Sequence, residues 1–198
     1  MKTTHCSNLL KYILMVFSFL LIFACIFPFY EVDNEELTAR YGEETTTAII
    51  TELNTHVDPA DSASDLYFNG KVGVLNYITG STGKVVSGTL AFYSYVMLFI
   101  PILMFVVFFL WRWIPDSITG IIVAILSLIE FIFSLLFGSA AASAFSEGFP
   151  NLAQYDVFDS HIMLIITIVA SIVIFLLSVF LALWDKIFAV KGDVKETA

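Results

Sequence analysis

The chain has 198 residues, of which 59% are hydrophobic and only 14% are charged, and its formal net charge at pH 7 is −9. Because a soluble domain carries about 25% charged residues, this composition indicates a largely membrane-embedded chain and excludes most soluble enzymes. Nine basic residues are too few for a nucleic-acid interface. The length is that of a single domain, which we assign to residues 1–198.

Four apolar stretches are each close to the roughly 20 residues that a helix needs to cross a bilayer. They cover residues 12–30, 88–111, 118–145 and 161–184. The first stretch also resembles a signal peptide, but its hydrophobicity continues to Phe29 and no small-residue cleavage site follows. The sequence therefore predicts an all-α membrane protein built as a four-helix transmembrane bundle.

Residues 31–87 form the main polar segment, between the first two predicted spans. Asp33 followed by Glu36 is typical of a helix start, and apolar residues then recur at three- and four-residue steps as far as His56. The β-type runs that follow are residues 66–68, 72–78 and 84–86, and Asn69-Gly70 is a hairpin signal. We predict a small, acidic helix-plus-β-hairpin cap outside the membrane.

The cysteines and the turns add further expectations. Cys6 precedes the first apolar stretch and Cys25 lies near its far end, so a helix would hold them too far apart for a disulfide. Asp116 or Ser117 is expected to cap the third span, and Asp159 or Ser160 the fourth. Pro101, inside the second span, removes one helical hydrogen bond.

The basic residues predict an orientation, because Lys and Arg accumulate on the cytoplasmic side. With four spans, both termini share one side, and that side holds six of the nine basic residues. The opposite side holds thirteen of the eighteen acids. All three tryptophans fall at the membrane–water boundary on the side of the two termini, where indole rings prefer to lie: Trp111, Trp113 and Trp184. Both termini are therefore expected in the cytoplasm, in a multi-pass protein of the cell membrane.

Small and polar residues recur within the spans at steps of seven or four, which places each set along one helix face. We expect such residues to pack the helices together. The predicted packing residues are Ser94, Gly138, Ala142, Ser171 and Ser178.

Glu130 lies near the middle of the third span, with Ser127 and Ser134 on the same helix face. Ionisable residues at this depth are costly and are functional candidates. Three roles stay open: a proton or cation relay, a neutral acid that ties two helices together, and a contact to another subunit. No Lys or Arg lies at a similar depth in the sequence, and Lys11 is expected to extend towards the nearer membrane boundary.

The remaining sequence offers no catalytic, phosphate-binding or metal-binding motif, so we expect neither an enzyme nor a metal or cofactor site. His161 with Asp156 and Asp159 matches no metal-ligand spacing and is expected to mark a solvated helix start. In layout alone, four spans with a long first loop resemble claudin-like tetraspan proteins. The Trp and Cys residues typical of that first loop are absent here, so we do not assign the family.

The expected function is that of an accessory or structural subunit acting through protein–protein interaction in the membrane. The partners are then the lipid bilayer and other membrane subunits, or further copies of the chain, with no nucleic acid. The alternative is a small transporter or channel component that uses Glu130 to move protons or cations.

Overall fold

A computed structural model of the protein describes residues 2–55, 71–79, 87–110 and 113–193. Several predicted features lie outside these residues: the Asn69-Gly70 hairpin, the runs 66–68 and 84–86, the helix end at residues 58–59, and Trp111 with Arg112. The helices are α1 Lys2–Ala24, α2 Asn34–Tyr41, α3 Glu43–Thr55, α4 Val74–Ile78, α5 Gly88–Phe109, α6 Asp116–Gly148 and α7 Ile162–Asp193. The strands are β1 Tyr30–Glu31, β2 Lys71–Val72 and β3 Asp159–Ser160.

Four helices are long and apolar enough to cross a membrane: α1, α5, α6 and α7. Only 33–39% of the residues in the most apolar part of each helix are buried inside the protein, and most of the others are apolar and at least partly exposed. The first helix differs from the predicted span 12–30, because it ends at Ala24. Pro28 explains this early end, since proline and the residue before it disfavour helical geometry.

The chain divides into two compact units. The first, which we call the terminal unit, comprises Met1–Ala24, Leu98–Phe133 and Ile166–Ala198. The second, the loop unit, comprises Cys25–Met97 and Ser134–Ile165. The helices α5, α6 and α7 each contribute residues to both units.

In the terminal unit, α6 and α7 approach each other closely at a glycine. A Cβ atom on Gly120 would lie 2.6 Å from the backbone oxygen of Ser178 and would also overlap the backbone of Ala182. Helix association in membranes depends on such close backbone approach, because apolar side chains gain little by leaving lipid. The absence of a side chain at Gly120 therefore permits the close contact between these two helices.

The loop unit contains a small antiparallel sheet of order β2-β1-β3. Tyr30 of β1 pairs with Val72 on one side and with Ser160 on the other. The sheet therefore contains strands from both loops of this unit, the one between α1 and α5 and the one between α6 and α7. The predicted β-run 72–78 is wrong beyond Val72, since Val74–Ile78 is helical. Gly73 lies between strand β2 and helix α4. Its backbone packs against Phe27 and Pro28, so a side chain does not fit there: a Cβ would be only 2.8 Å from the Phe27 oxygen.

The acidic segment after β1 folds as two helices rather than the single one suggested by its periodicity. Asp33 caps α2 as predicted, accepting hydrogen bonds from the backbone N–H of Glu35 at 2.8 Å and of Glu36 at 3.3 Å. Gly42 then interrupts the helix, because its φ of 83° lies in the left-handed region that favours glycine. Leu37 and Ile49 are the fully buried apolar side chains on α2 and α3.

Replacing Gly120 with alanine should destabilise the terminal unit. The added methyl group has no space against the α7 backbone, and overpacking of this kind costs about 1–3 kcal/mol. Thermal unfolding in detergent, followed by size-exclusion chromatography, measures the loss. Gly88→Ala is the matched control, because a Cβ at that helix start meets nothing within 4 Å. Equal unfolding temperatures for the two variants would contradict the close approach.

Candidate intramembrane polar site

Glu130 is fully buried in the terminal unit, with 0% of its surface exposed. It lies in α6, where the run from Ile118 to Phe137 is almost entirely apolar apart from hydroxyl-bearing residues and Glu130 itself. Ser127, one turn before it, is buried as well. Ser134, one turn after it on the same helix, begins the part of α6 that belongs to the loop unit, and it too is buried.

The Ser127 hydroxyl donates its hydrogen bond to the backbone oxygen of Ala124, at 3.0 Å. A hydroxyl has one hydrogen to donate and two lone pairs to accept with. Ser127 can therefore act towards its polar neighbours as an acceptor. In the same unit, Ser18 and Ser171 donate in the same way, to Leu14 and Thr167 one turn earlier in their own helices.

Glu130 is one of several polar side chains inside the terminal unit. Six hydroxyl-bearing residues of α1, α6 and α7 are also completely buried in this unit: Ser18, Thr119, Ser127, Thr167, Ser171 and Ser178. The hydroxyls of Thr119 and Ser178 have no hydrogen-bond partner among the described residues. The interior of this unit is thus lined by hydroxyls on three helices, in addition to the carboxyl group on α6.

The predicted packing residues fall into two groups. Ser94, Ser171 and Ser178 are completely buried. Gly138 is half-buried against Tyr30, whose hydroxyl occupies the place that a Cβ would take, whereas Ala142 is exposed. Each step of four residues rotates about 40° around a helix of 3.6 residues per turn, so two such steps leave the buried face. The small residues buried in this part of α6 are Ala140, Ala141 and Ala144.

A second polar cluster was missed by the sequence reasoning. Lys11 does not extend outwards as expected: it is 6% exposed and forms an ion pair with Asp116 at the start of α6. The hydroxyl of Ser7, one turn earlier in α1, donates to the other carboxylate oxygen of Asp116. Asp116 is the first residue of α6, where a negative charge also interacts favourably with the helix dipole. The signal in the sequence was the four-residue spacing of Ser7 and Lys11, which places both polar side chains on one face of α1.

In the loop unit, Arg40 joins the two loops. Its guanidinium contacts Glu36 on its own helix, Asp156 at 3.4 Å and Asp159 at 2.6 Å. The backbone N–H of Asp156 donates to the Tyr41 hydroxyl at 2.9 Å. Burial raises the pKa of Asp159, and the nearby Arg40 charge offsets part of that rise.

His161 directly precedes α7. It occupies the capping position that was expected for Asp159 or Ser160, which instead lie in β3. Its ring Nδ1 accepts from the backbone N–H of Met163 at 3.3 Å, and its Nε2 lies 4.0 Å from the Glu31 carboxylate. Within the part of the chain that the structure describes, no group of three His, Cys, Asp or Glu side chains could hold a metal ion. His161 therefore serves as a helix cap beside the sheet.

The four apolar helices and their exposed apolar surface make the chain a multi-pass membrane protein. No protein family, no curated protein and no solved structure matches it.

Replacing Glu130 distinguishes a buried polar contact from a tolerant surface position. Glu130→Gln keeps the shape and a hydrogen-bond donor, so we expect it to fold with a loss near 0.6 kcal/mol, the average for an interhelical hydrogen bond. Glu130→Lys should misfold, because a charged amine at the centre of a spanning helix costs about 2.5–3.5 kcal/mol. Fluorescence-detected size-exclusion chromatography measures the folded fraction.

Glu147→Lys is the control for these variants, since Glu147 is an exposed acid near the end of the same helix. A Glu130→Lys protein that elutes as sharply as the Glu147→Lys protein would show that position 130 is not packed inside the protein.

Proposed function

We propose that the chain is a non-enzymatic accessory or structural subunit of a membrane assembly and that it acts through protein–protein contact. Both termini are assigned to the cytoplasm of a cell-membrane protein, as the distribution of basic residues favours. The two loops of the loop unit then lie outside the membrane and provide the contact surface. The observation that carries the proposal is the acidic face of α2 and α3, by which we mean the exposed acids Glu35, Glu36, Glu43 and Glu44.

Charge is strongly one-sided in the loop unit. Arg40 and Lys71 are its only basic side chains among those described, against ten acidic ones: Glu31, Asp33, Glu35, Glu36, Glu43, Glu44, Glu52, Glu147, Asp156 and Asp159. Arg40 is already engaged by three of these acids. A surface of one sign attracts a partner of the opposite sign and increases the rate of encounter. We therefore expect a partner with a basic surface.

Several contacts within the loop unit hold this face in place. The Asp33 cap fixes the start of α2, and the buried Leu37 and Ile49 hold the two helices in the unit. Arg40 and Tyr41 bind α2 to the loop before α7. A surface that is ordered before binding loses less conformational entropy when a partner binds. These contacts favour a recognition role over a flexible solvated loop.

The partner test uses Glu35, Glu43 and Glu44, which are exposed acids on the two helices. The tagged protein is purified from its native membrane in mild detergent at low salt, and copurifying proteins are quantified by mass spectrometry. We expect a stoichiometric partner with the wild type and its loss when all three residues are changed to Gln, because the attraction depends on charge.

A triple change to Asp at the same three positions is the control, because it keeps the charge and should keep the partner. The absence of any stoichiometric partner at low salt contradicts the proposal. So does full retention of the partner by the Gln variant.

The second candidate function is a transporter or channel component, which the buried Glu130 and the hydroxyl-lined interior of the terminal unit favour. Intramembrane acids of this kind commonly belong to proton or cation paths. Purified protein in liposomes would then conduct protons or cations, and Glu130→Gln would abolish the flux while still folding, because an amide cannot carry a proton in the same way. Glu147→Gln should leave the flux unchanged. Wild-type liposomes no leakier than empty ones would eliminate this candidate.

A further inference from the structure

The terminal unit contains an open groove of about 880 Å³ formed by α1, the end of α5 and the turn that leads into α6. Its volume falls within the range of about 300–1,000 Å³ typical of small-molecule sites. Among the described residues, the charged and amide groups of its lining are Asn8 and the Lys11–Asp116 ion pair. The apolar part includes Met15 and Phe108.

The polar part of the groove carries both signs of charge at a partly buried position. The Lys11 side chain is 7% exposed and the Asp116 side chain 25%. A partly buried ion pair is screened less by water than an exposed one, so its local field persists even though its net charge is zero. A purely anionic ligand would be attracted by Lys11 and repelled by Asp116. A ligand that carries both charges matches both residues.

Aromatic rings form the exposed rim of the same groove. Tyr12, Phe109 and Trp113 line it, and Trp113 is 76% exposed. Tyr and Trp prefer the level of the lipid headgroups, and the face of an indole ring attracts quaternary ammonium groups. The rim therefore supplies an apolar surface and a site for an organic cation at one place.

We propose that this groove binds the zwitterionic headgroup of a phospholipid, with the phosphate towards Lys11 and the quaternary ammonium towards Asp116 and the ring of Trp113. The upper part of an acyl chain would lie along Met15. This site is independent of the acidic face in the loop unit, so it stands whether or not that face binds a partner.

The test measures lipid retention on the full chain. The purified protein in detergent is mixed with phosphatidylcholine or with phosphatidylglycerol of the same acyl chains, and native mass spectrometry quantifies the bound lipid. We expect phosphatidylcholine to be retained in preference to phosphatidylglycerol. Trp113→Leu should weaken phosphatidylcholine retention about three-fold, which is the size of one exposed cation–π contact. Phe99→Leu, at an exposed aromatic residue outside the groove lining, should change nothing.

A second variant tests the charge pairing. Asp116→Asn keeps an oxygen that can accept from Ser7 and Lys11 but removes the negative charge, so the preference should reverse in favour of phosphatidylglycerol. Equal retention of the two lipids by the wild type overturns the proposal. Unchanged phosphatidylcholine retention in Trp113→Leu also overturns it, and that exposed substitution does not depend on the Asp116 variant folding.

Discussion

Moving a polar group from water into hydrocarbon costs several kcal/mol, and this cost determines where the polar side chains of the spanning helices lie. Ser18, Glu130 and Ser171 are completely buried in the terminal unit, whereas Leu9 and Leu176 are 60% exposed. This is the reverse of a soluble protein, in which exposed positions are mostly polar. The exposed apolar side chains match the lipid, and the interior is the place left for hydroxyls and charges.

Polar residues inside the protein do not by themselves bring the helices together, because apolar residues gain little on leaving lipid. Close backbone contact supplies the attraction, and Gly120 against α7 is the clearest case. The loop unit faces a different constraint, since no disulfide joins its described residues: Cys25 is buried, and its thiol donates to the backbone oxygen of Met97 at 3.4 Å. Its two loops are joined instead by the three-stranded sheet and by Arg40.

The sequence predicted the features that depend on local periodicity or composition. It placed the four apolar helices and the Asp33 cap. It could not predict features that depend on distant residues meeting. The pairing of Tyr30 with Ser160, the contacts of Arg40 with Asp156 and Asp159, and the Lys11–Asp116 ion pair all join residues more than 100 positions apart.

Two local errors have local causes. The four-residue ladder Ser134, Gly138, Ala142 rotates out of the buried face, so Ala142 is exposed. The apolar run after Lys71 predicts a strand, but a short apolar run does not distinguish a strand from a helix. The strand ends at Val72, and a helix begins directly after Gly73.

Thiol accessibility most directly tests the membrane topology, in which four helices cross the bilayer and both termini lie on the same side. With Cys6 and Cys25 replaced by Ser, single cysteines are introduced at the exposed positions Thr47, Gln154 and Lys186. An impermeant maleimide on intact cells should label the Thr47 and Gln154 variants, and should label the Lys186 variant only after permeabilisation. Labelling of Thr47 and Gln154 from opposite sides would contradict the four spans. Labelling of Lys186 alone in intact cells would reverse the orientation.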